Sequence, residues 1–148
     1  MSTAATVLHG PDELRAALGR HLGHSEWLTV DQHRIDQFTE ATGAPAAVAD
    51  GYLTLSLSNY FLPQIVEVTG FTMGVNYGAE MVRFLQPVEA GASLRAGAEL
   101  IGVADVAGGL QTTMTITIDI AGDVPGDVPG DVPAQSACVI ESVSRWLY

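Results

Sequence analysis

Hydrophobic and polar positions in the first third of the chain follow the spacing of amphipathic helices. A proline and two acids at 11–13 precede apolar residues three or four positions apart, which predicts a helix over 11–22. A second helix is predicted over 31–42, with Asp31 as its N-cap and Gly43 as its terminating glycine. Both helices are expected to pack one apolar face inward.

A third helix is predicted over residues 51–62, where the sequence is apolar on nearly all sides. A segment of this length and composition is typical of a buried helix. Pro63 is expected to mark its last turn or a kink.

From Phe71 onward the chain is rich in β-branched and aromatic residues with partial alternation, which is typical of strands. The predicted antiparallel strands cover residues 71–79, 81–84, 93–103, 110–120 and 137–148. One long apolar helix followed by such a run predicts an α+β domain whose sheet wraps the helix.

Residues 122–133 consist of three copies of Gly-Asp-Val-Pro. Prolines and glycines at this frequency cannot continue a strand ladder, so the repeat is predicted to be an enlarged hairpin loop. It could serve as a lid or partner loop, or it could reflect repeat slippage in a tolerant surface loop.

Composition indicates a single globular domain spanning 1–148, with 47% hydrophobic and 16% charged residues. Six Lys and Arg against 17 Asp and Glu give a formal net charge of −11. This charge repels phosphate backbones and anionic membrane surfaces, so neither nucleic acid nor a membrane is expected as a partner. It also disfavours coenzyme A, unless a local arginine cluster offsets it.

No cofactor and no metal are expected. The four histidines lie in the N-terminal region at spacings that match no familiar zinc site, and no phosphate-binding glycine loop occurs. Cys138 is predicted to be a small buried hydrophobe, because a single thiol cannot form an internal disulfide. The chain has no basic N-terminal segment before an apolar stretch and no apolar run that could span a bilayer, so a cytoplasmic location is expected.

Three segments carry a more specific resemblance. They are Ser25 to Val30 followed by Ile35 to Gly43, then Gly51 to Leu57, and finally Gly74 to Gly78 followed by Val82-Arg83-Phe84 and Pro87-Val88. With the closing Glu141-Ser142-Val143, they resemble the NodN-type MaoC-like proteins of the (R)-specific enoyl-CoA hydratase family. The resemblance implies a hot-dog fold, in which the antiparallel sheet wraps a central helix.

The resemblance also implies hydration of a trans-2-enoyl thioester, or dehydration of a (3R)-hydroxyacyl thioester. In the family an aspartate and a histidine, in a pattern like Gly-Asp-x-x-x-x-His after the second helix, share the proton transfers. A backbone N–H at the start of the central helix stabilises the thioester oxygen.

The present sequence departs from the family at this catalytic pair. Gly43 is followed by seven residues that include neither the family aspartate nor the histidine, and this segment is shorter than the family's. Asp50 stands where the family usually has a histidine before the helix glycine. We therefore expect normal hydratase activity to be lost.

Four residues are the catalytic candidates. Asp50 could cap the helix or act as an acid or base in the vacated pocket, and Gly51 could supply the oxyanion amide or simply allow a tight helix start. Asn76 could orient a ligand carbonyl beside Tyr77, although Asn-Tyr-Gly also suits a β-bulge.

Four further residues are candidates for substrate binding. Tyr52, Ser56 and Asn59 could line an acyl tunnel from the central helix, or serve helix packing. Arg83 could attract a phosphate, or form a surface ion pair.

These observations favour a repurposed enzyme of lyase or cyclase type that dehydrates, cyclises or isomerises an acyl or polyketide-like intermediate. Two alternatives remain: a non-catalytic acyl-binding subunit, and an (R)-specific hydratase whose active-site loop has been removed. The resemblance implies a homodimer, with a heterodimer formed with a paralogue as the alternative.

Overall fold

The computed structural model describes residues 4–43, 48–122 and 134–148 of the chain. Its elements in order are β1 Thr6–His9, α1 Gly10–Ala16, β2 His21–His24, β3 Leu28–Val30, α2 Gln32–Thr42, α3 Gly51–Ser56, α4 Ser58–Ile65, β4 Val66–Thr69, β5 Met73–Phe84, β6 Ala92–Val106, β7 Gly109–Ala121 and β8 Ala134–Leu147.

Six strands form one antiparallel sheet in the order β2-β6-β7-β8-β5, and β3 also pairs with β6. The long strands β6, β7 and β8 are its centre, while β5 lies at an edge. β1 and β4 form a separate parallel pair. The predicted antiparallel sheet is confirmed.

The hydrophobic core lies on one side of this sheet, which we call the inner face; the other side is the outer face. Along β7 the inner positions are buried, as at Ile116 and Ile118, whereas the threonines between them are half-buried. Phe61 and Ile65 of α4 belong to the same core cluster. The α+β prediction, with helices packed inside a sheet, is therefore confirmed.

The single long helix predicted over 51–62 was wrong, because α3 and α4 are separate helices that meet at Leu57. The buried positions follow a regular four-residue spacing at Leu53, Leu57, Phe61 and Ile65. The buried side of α3 therefore continues into α4 across the break, while other sides of the two helices are exposed to solvent. Pro63 lies in the last turn of α4, which was one of the two positions predicted for it.

Helix α2 confirms the second predicted helix. Asp31 accepts a hydrogen bond from the Arg34 amide, and Gly43 ends the helix at φ +75°. The first prediction extended too far, because α1 ends at Ala16 and Leu22 lies buried in β2.

The predicted strands 71–79 and 81–84 are one strand, β5, with irregularities in its pairing to β8 at Tyr77 and Glu80. The other three predicted strands are confirmed, and the short strands β1 to β4 were not predicted. β7 and β8 are antiparallel neighbours. The repeat predicted as the loop between them lies outside the described residues, apart from Gly122.

Candidate functional site

The start of α3 is held by a local side-chain hydrogen bond and by a backbone hydrogen bond to the segment that joins β5 to β6. The Asp50 side chain accepts a hydrogen bond from the Tyr52 amide at 2.8 Å, which satisfies an unpaired donor of the first helical turn. The Ala49 amide donates to the Val88 carbonyl oxygen at 2.8 Å. The start of α3 is therefore fixed against the segment that joins β5 to β6.

A cavity of about 310 Å³ opens at this junction. It is lined by Ala49, Gly51 and Thr54 beside α3, by Phe84, Leu85, Gln86, Pro87 and Val88 from the end of β5 and the following segment, and by Ala137 of β8. This volume is at the small end of the range for ligand pockets. A larger hollow of about 560 Å³ adjoins it through Gln86 and Pro87 and extends to Ile120.

No ionisable side chain lines the smaller cavity among the described residues. Its polar side chains are the Thr54 hydroxyl and the Gln86 amide. Thr54 is almost fully buried, and its hydroxyl forms no hydrogen bond within the part of the chain that the structure describes. The cavity can therefore orient a polar ligand atom, but these side chains supply no general base of ordinary strength.

Gly51 lies in close contact with the Phe84 ring. A Cβ atom at this position would lie 3.0 Å from two ring carbons of Phe84, which is tighter than ordinary van der Waals contact. The absence of a side chain lets the Phe84 ring lie against the first residue of α3. This packing role differs from the two predicted for Gly51, the oxyanion amide and the tight helix start, which both stay predictions.

The three predicted binding residues on the central helices lie outside the cavity lining. Tyr52 is 65% exposed and its ring meets Phe84 edge to face at 5.8 Å between centroids. The Ser56 hydroxyl donates to the Tyr52 carbonyl oxygen at 2.5 Å, and Asn59 is exposed. Tyr52 is therefore the one of the three that borders the site.

Asn76 lies on the inner face. It pairs with Ser144 of β8, which is four residues from the buried Ile140 and therefore points to the same side of the sheet. It stands at the opposite end of β5 from Phe84, about 26 Å along the strand at ~3.3 Å per residue. The structure does not bring Asn76 to Gly51 within one chain.

Tyr77 and Arg83 lie on the outer face. The Tyr77 ring is covered by the Arg145 guanidinium, whose Cζ is 3.7 Å from the ring centroid. Arg83 pairs with Val139 and its Nε donates to the Met81 sulfur at 3.3 Å. Neither side chain lies on the side of the sheet that faces the cavity. Tyr77 lies at a β-bulge, the structural alternative predicted for Asn-Tyr-Gly.

Thr54 and Gln86 were not predicted from the sequence, and Phe84 entered only as part of the family resemblance. Thr54 lies three residues after Gly51, so helical periodicity places the two on one face. No comparable local signal indicates that the end of β5 reaches the start of α3.

The three groups with shifted pKa values, His24, Cys138 and Arg15, do not line the cavity. Burial, followed by repulsion from Arg95 and His21, lowers the pKa of His24 on β2. Burial raises the pKa of the Cys138 thiol, which lies in the core as predicted. A hydrogen bond to Asp105 raises the pKa of Arg15.

Within residues 4–43, 48–122 and 134–148, no three His, Cys, Asp or Glu side chains are grouped so that they could hold a metal ion. No helix in this part of the chain is long and apolar enough to cross a membrane.

Comparison with known proteins supports the resemblance. The chain is 33% identical to 3-hydroxyacyl-thioester dehydratase Z of Mycobacterium tuberculosis, over 91% of this chain and 94% of that protein. It is 35% identical to nodulation protein N of Rhizobium leguminosarum bv. viciae, over 72% of this chain and 78% of that protein.

Solved structures share the fold at low sequence identity. The monoamine oxidase regulatory protein from Archaeoglobus superposes with a TM-score of 0.72 at 16% identity, covering 98% of both chains. The R-hydratase PhaJ1 from Pseudomonas aeruginosa gives a TM-score of 0.57 at 11% identity, covering 88% of this chain and 81% of that one. The hot-dog fold is thus confirmed. Residues 32–120 match the family described as MaoC like domain, and the chain belongs to this family.

Proposed function

We propose that this protein binds an acyl or polyketide-like thioester at the cavity beside α3 and acts on it without the family's Asp/His pair. The observation that carries the proposal is the lining of that cavity. The cavity lies at the start of α3, and its described lining contains no Asp, Glu or His. Residues 44–47, which precede it, are Ala-Pro-Ala-Ala and add no ionisable group.

A pocket of this kind favours reactions that depend on holding the substrate in one conformation. Orientation alone can lower a barrier considerably when the reacting atoms are kept in contact. Dehydration, cyclisation or isomerisation of an acyl intermediate are the reactions we propose, with the Gly51 amide directed at the thioester oxygen. The Thr54 hydroxyl would orient a second polar atom of the ligand.

Asp50 remains the proposed acid or base of a repurposed enzyme, acting from the edge of the cavity. Its hydrogen bond to the Tyr52 amide holds the carboxylate next to Gly51. A carboxylate fixed in this way could move a proton at a substrate atom bound by the Gly51 amide, while the cap limits the freedom of the side chain.

We further propose a homodimer formed through β5. This edge strand is exposed along most of its twelve residues, including Met73, Val75 and Tyr77. An unpaired edge of this length is open to pairing with another strand. In an antiparallel pair of β5 strands, the start of the partner's strand, which carries its Asn76, would lie near Phe84 at the end of the first strand. Predicted site residues that lie apart in one chain would then come together.

A non-catalytic acyl-binding subunit is the second candidate, and it is favoured by the same non-ionisable lining. Such a subunit could use its β5 edge to pair with an active paralogue in a heterodimer. We propose a cytoplasmic location for either form.

The first experiment follows hydration of a trans-2-enoyl-CoA through loss of the conjugated thioester absorbance, and measures thioester binding by calorimetry. We expect binding without efficient hydration. Robust hydration by the native chain would contradict the proposal, and sensitivity of that activity to Asp50→Asn would assign the proton transfer to this carboxylate. Absence of binding to any acyl thioester would reject both the enzyme and the binding subunit.

The assembly is tested by sedimentation of the native chain and of Ala79→Asp, which places two like charges near the middle of a paired β5. The native chain is expected to sediment as a dimer and the variant as a monomer. A native monomer would reject the proposed assembly. Ser93→Ala, on β6, is the control that should leave the dimer intact.

A further inference from the structure

We propose that Phe84 determines which acyl groups the cavity admits. This inference rests on the proposed acyl-binding function and adds to it the residue that sets acyl-chain length. Phe84 forms one wall of the cavity, on the side of Tyr52.

The ring is positioned by two contacts with α3. Three of its carbons lie 3.0 to 3.1 Å from the position that a Gly51 Cβ would occupy, so the ring is seated directly on the helix start. The Tyr52 ring meets it edge to face at 5.8 Å, an arrangement favoured for aromatic pairs. Phe84 therefore has one defined place between the cavity and Tyr52.

The other lining residues differ among themselves in burial: Leu85, Gln86 and Pro87 are exposed, as Phe84 is, but four others are not. Ala49, Thr54, Val88 and Ala137 are all buried, and their positions are fixed by the core. Phe84 is 48% exposed and does not belong to the core cluster. A change at residue 84 can therefore alter the size of the cavity with little effect on the fold.

The direction of the effect follows from this position. The cavity of about 310 Å³ suits a short acyl group, and the Phe84 ring separates it from the exposed surface around Tyr52. Removing the ring would extend an apolar path towards Tyr52, where additional methylene groups could be buried. A larger ring would shorten the path.

The test measures the binding of butyryl-, hexanoyl- and decanoyl-CoA to the native chain, Phe84→Ala and Phe84→Trp by calorimetry. One methylene group in an apolar pocket changes affinity by roughly 10-fold or more. Phe84→Ala should therefore raise the ratio of decanoyl- to butyryl-CoA affinity by at least about 10-fold. Phe84→Trp should shift the same ratio in the opposite direction. Phe71→Leu is the control: it removes an aromatic ring that stacks on Tyr148, and it should leave the ratio of decanoyl- to butyryl-CoA affinity unchanged.

Two results separate the failure of this inference from the failure of the proposed function. If butyryl-CoA binds, but the ratio of decanoyl- to butyryl-CoA affinity in both Phe84 variants stays within about twofold of the native ratio, the role of Phe84 is overturned. The acyl-binding function would still stand. Absence of butyryl-CoA binding to the native chain would reject the acyl-binding function, and this inference with it. If Phe84→Ala fails to fold, the Phe84→Trp ratio decides the question.

Discussion

The indole ring of Trp146 lies directly over Gly74. A Cβ atom on residue 74 would stand 2.5 Å from Cζ3 of Trp146, a distance that real Cβ atoms do not reach. The indole Nε1 of the same residue donates to the Thr112 hydroxyl at 2.9 Å. Because this bond ties the ring to β7, the edge strand β5 approaches β8 at a position where only glycine fits.

Gly74→Ala should destabilise the protein by about 1–3 kcal/mol, since an added methyl group must displace a large ring held by a hydrogen bond. Denaturant unfolding followed by tryptophan fluorescence measures the change. Gly78→Ala is a matched control in the same strand, because a Cβ atom there would meet no atom within 4 Å. Equal stability of the two variants would contradict this account of Gly74.

Ser25 joins the start of the chain to β6. Its hydroxyl accepts a hydrogen bond from the Ala96 amide and donates to the Glu26 carbonyl oxygen, both at 3.0 Å, and the residue is buried. Ser25→Ala removes the acceptor of a buried amide, which should cost about 1–3 kcal/mol.

The control for Ser25 is Ser93→Ala, on β6, whose hydroxyl meets that of Thr29 at an exposed position. This substitution should change the free energy of unfolding by less than about 0.5 kcal/mol. Chemical unfolding of both variants provides the comparison, and a loss of stability in Ser93→Ala as large as that in Ser25→Ala would refute the argument.

Local signals predicted some elements well. Helix α2 begins at an aspartate cap and ends at a glycine with positive φ, and both ends follow from residues close in sequence. The parallel pairing of Thr6 with Val66 joins distant segments of four residues each, so periodicity had too few positions to indicate it. The break at Leu57 was missed because the apolar pattern continues across it.

The candidate site was only partly predictable for a similar reason. Gly51 was identified through the family resemblance, and Thr54, which shares its helix face, was not identified. The contact between Gly51 and Phe84 depends on how β5 ends against α3. The bulge at Tyr77 changes which face the side chains of β5 occupy. A second irregularity at Glu80 restores the alternation, so Asn76 and Arg83 lie on opposite faces as simple alternation predicts, whereas their distances from the cavity depend on where β5 ends.

The Asp50 cap leads to a prediction that separates its structural role from any role in proton transfer. Asp50→Ala should lower the free energy of unfolding by about 1 kcal/mol, because the Tyr52 amide loses its partner. Asp50→Asn retains an oxygen acceptor and should be nearly as stable as the native chain. Urea unfolding of the two variants checks this, and equal losses in both would show that the charge, rather than the cap, stabilises this position.

His24 should make the protein sensitive to mild acid. Burial, with Arg95 and His21 nearby, lowers its pKa in the folded state below the ordinary 6.5, and Asp119 opposes this only in part. The unfolded chain therefore binds a proton at higher pH than the folded chain, so His24 disfavours folding progressively as the pH falls below about 7. The effect should stay below about 0.5 kcal/mol, because the side chain is largely exposed and solvent screens the charges.

His24→Gln removes this proton uptake, so its stability should fall less steeply than that of the native chain between about pH 7 and pH 5. Guanidinium unfolding at several pH values within this window measures the two slopes. The carboxylates contribute equally to both proteins, and subtracting the native curve from the variant curve isolates the histidine. His33→Gln, at an exposed position on α2, provides the control. Identical slopes for all three proteins would mean that His24 takes up its proton equally in the folded and unfolded states.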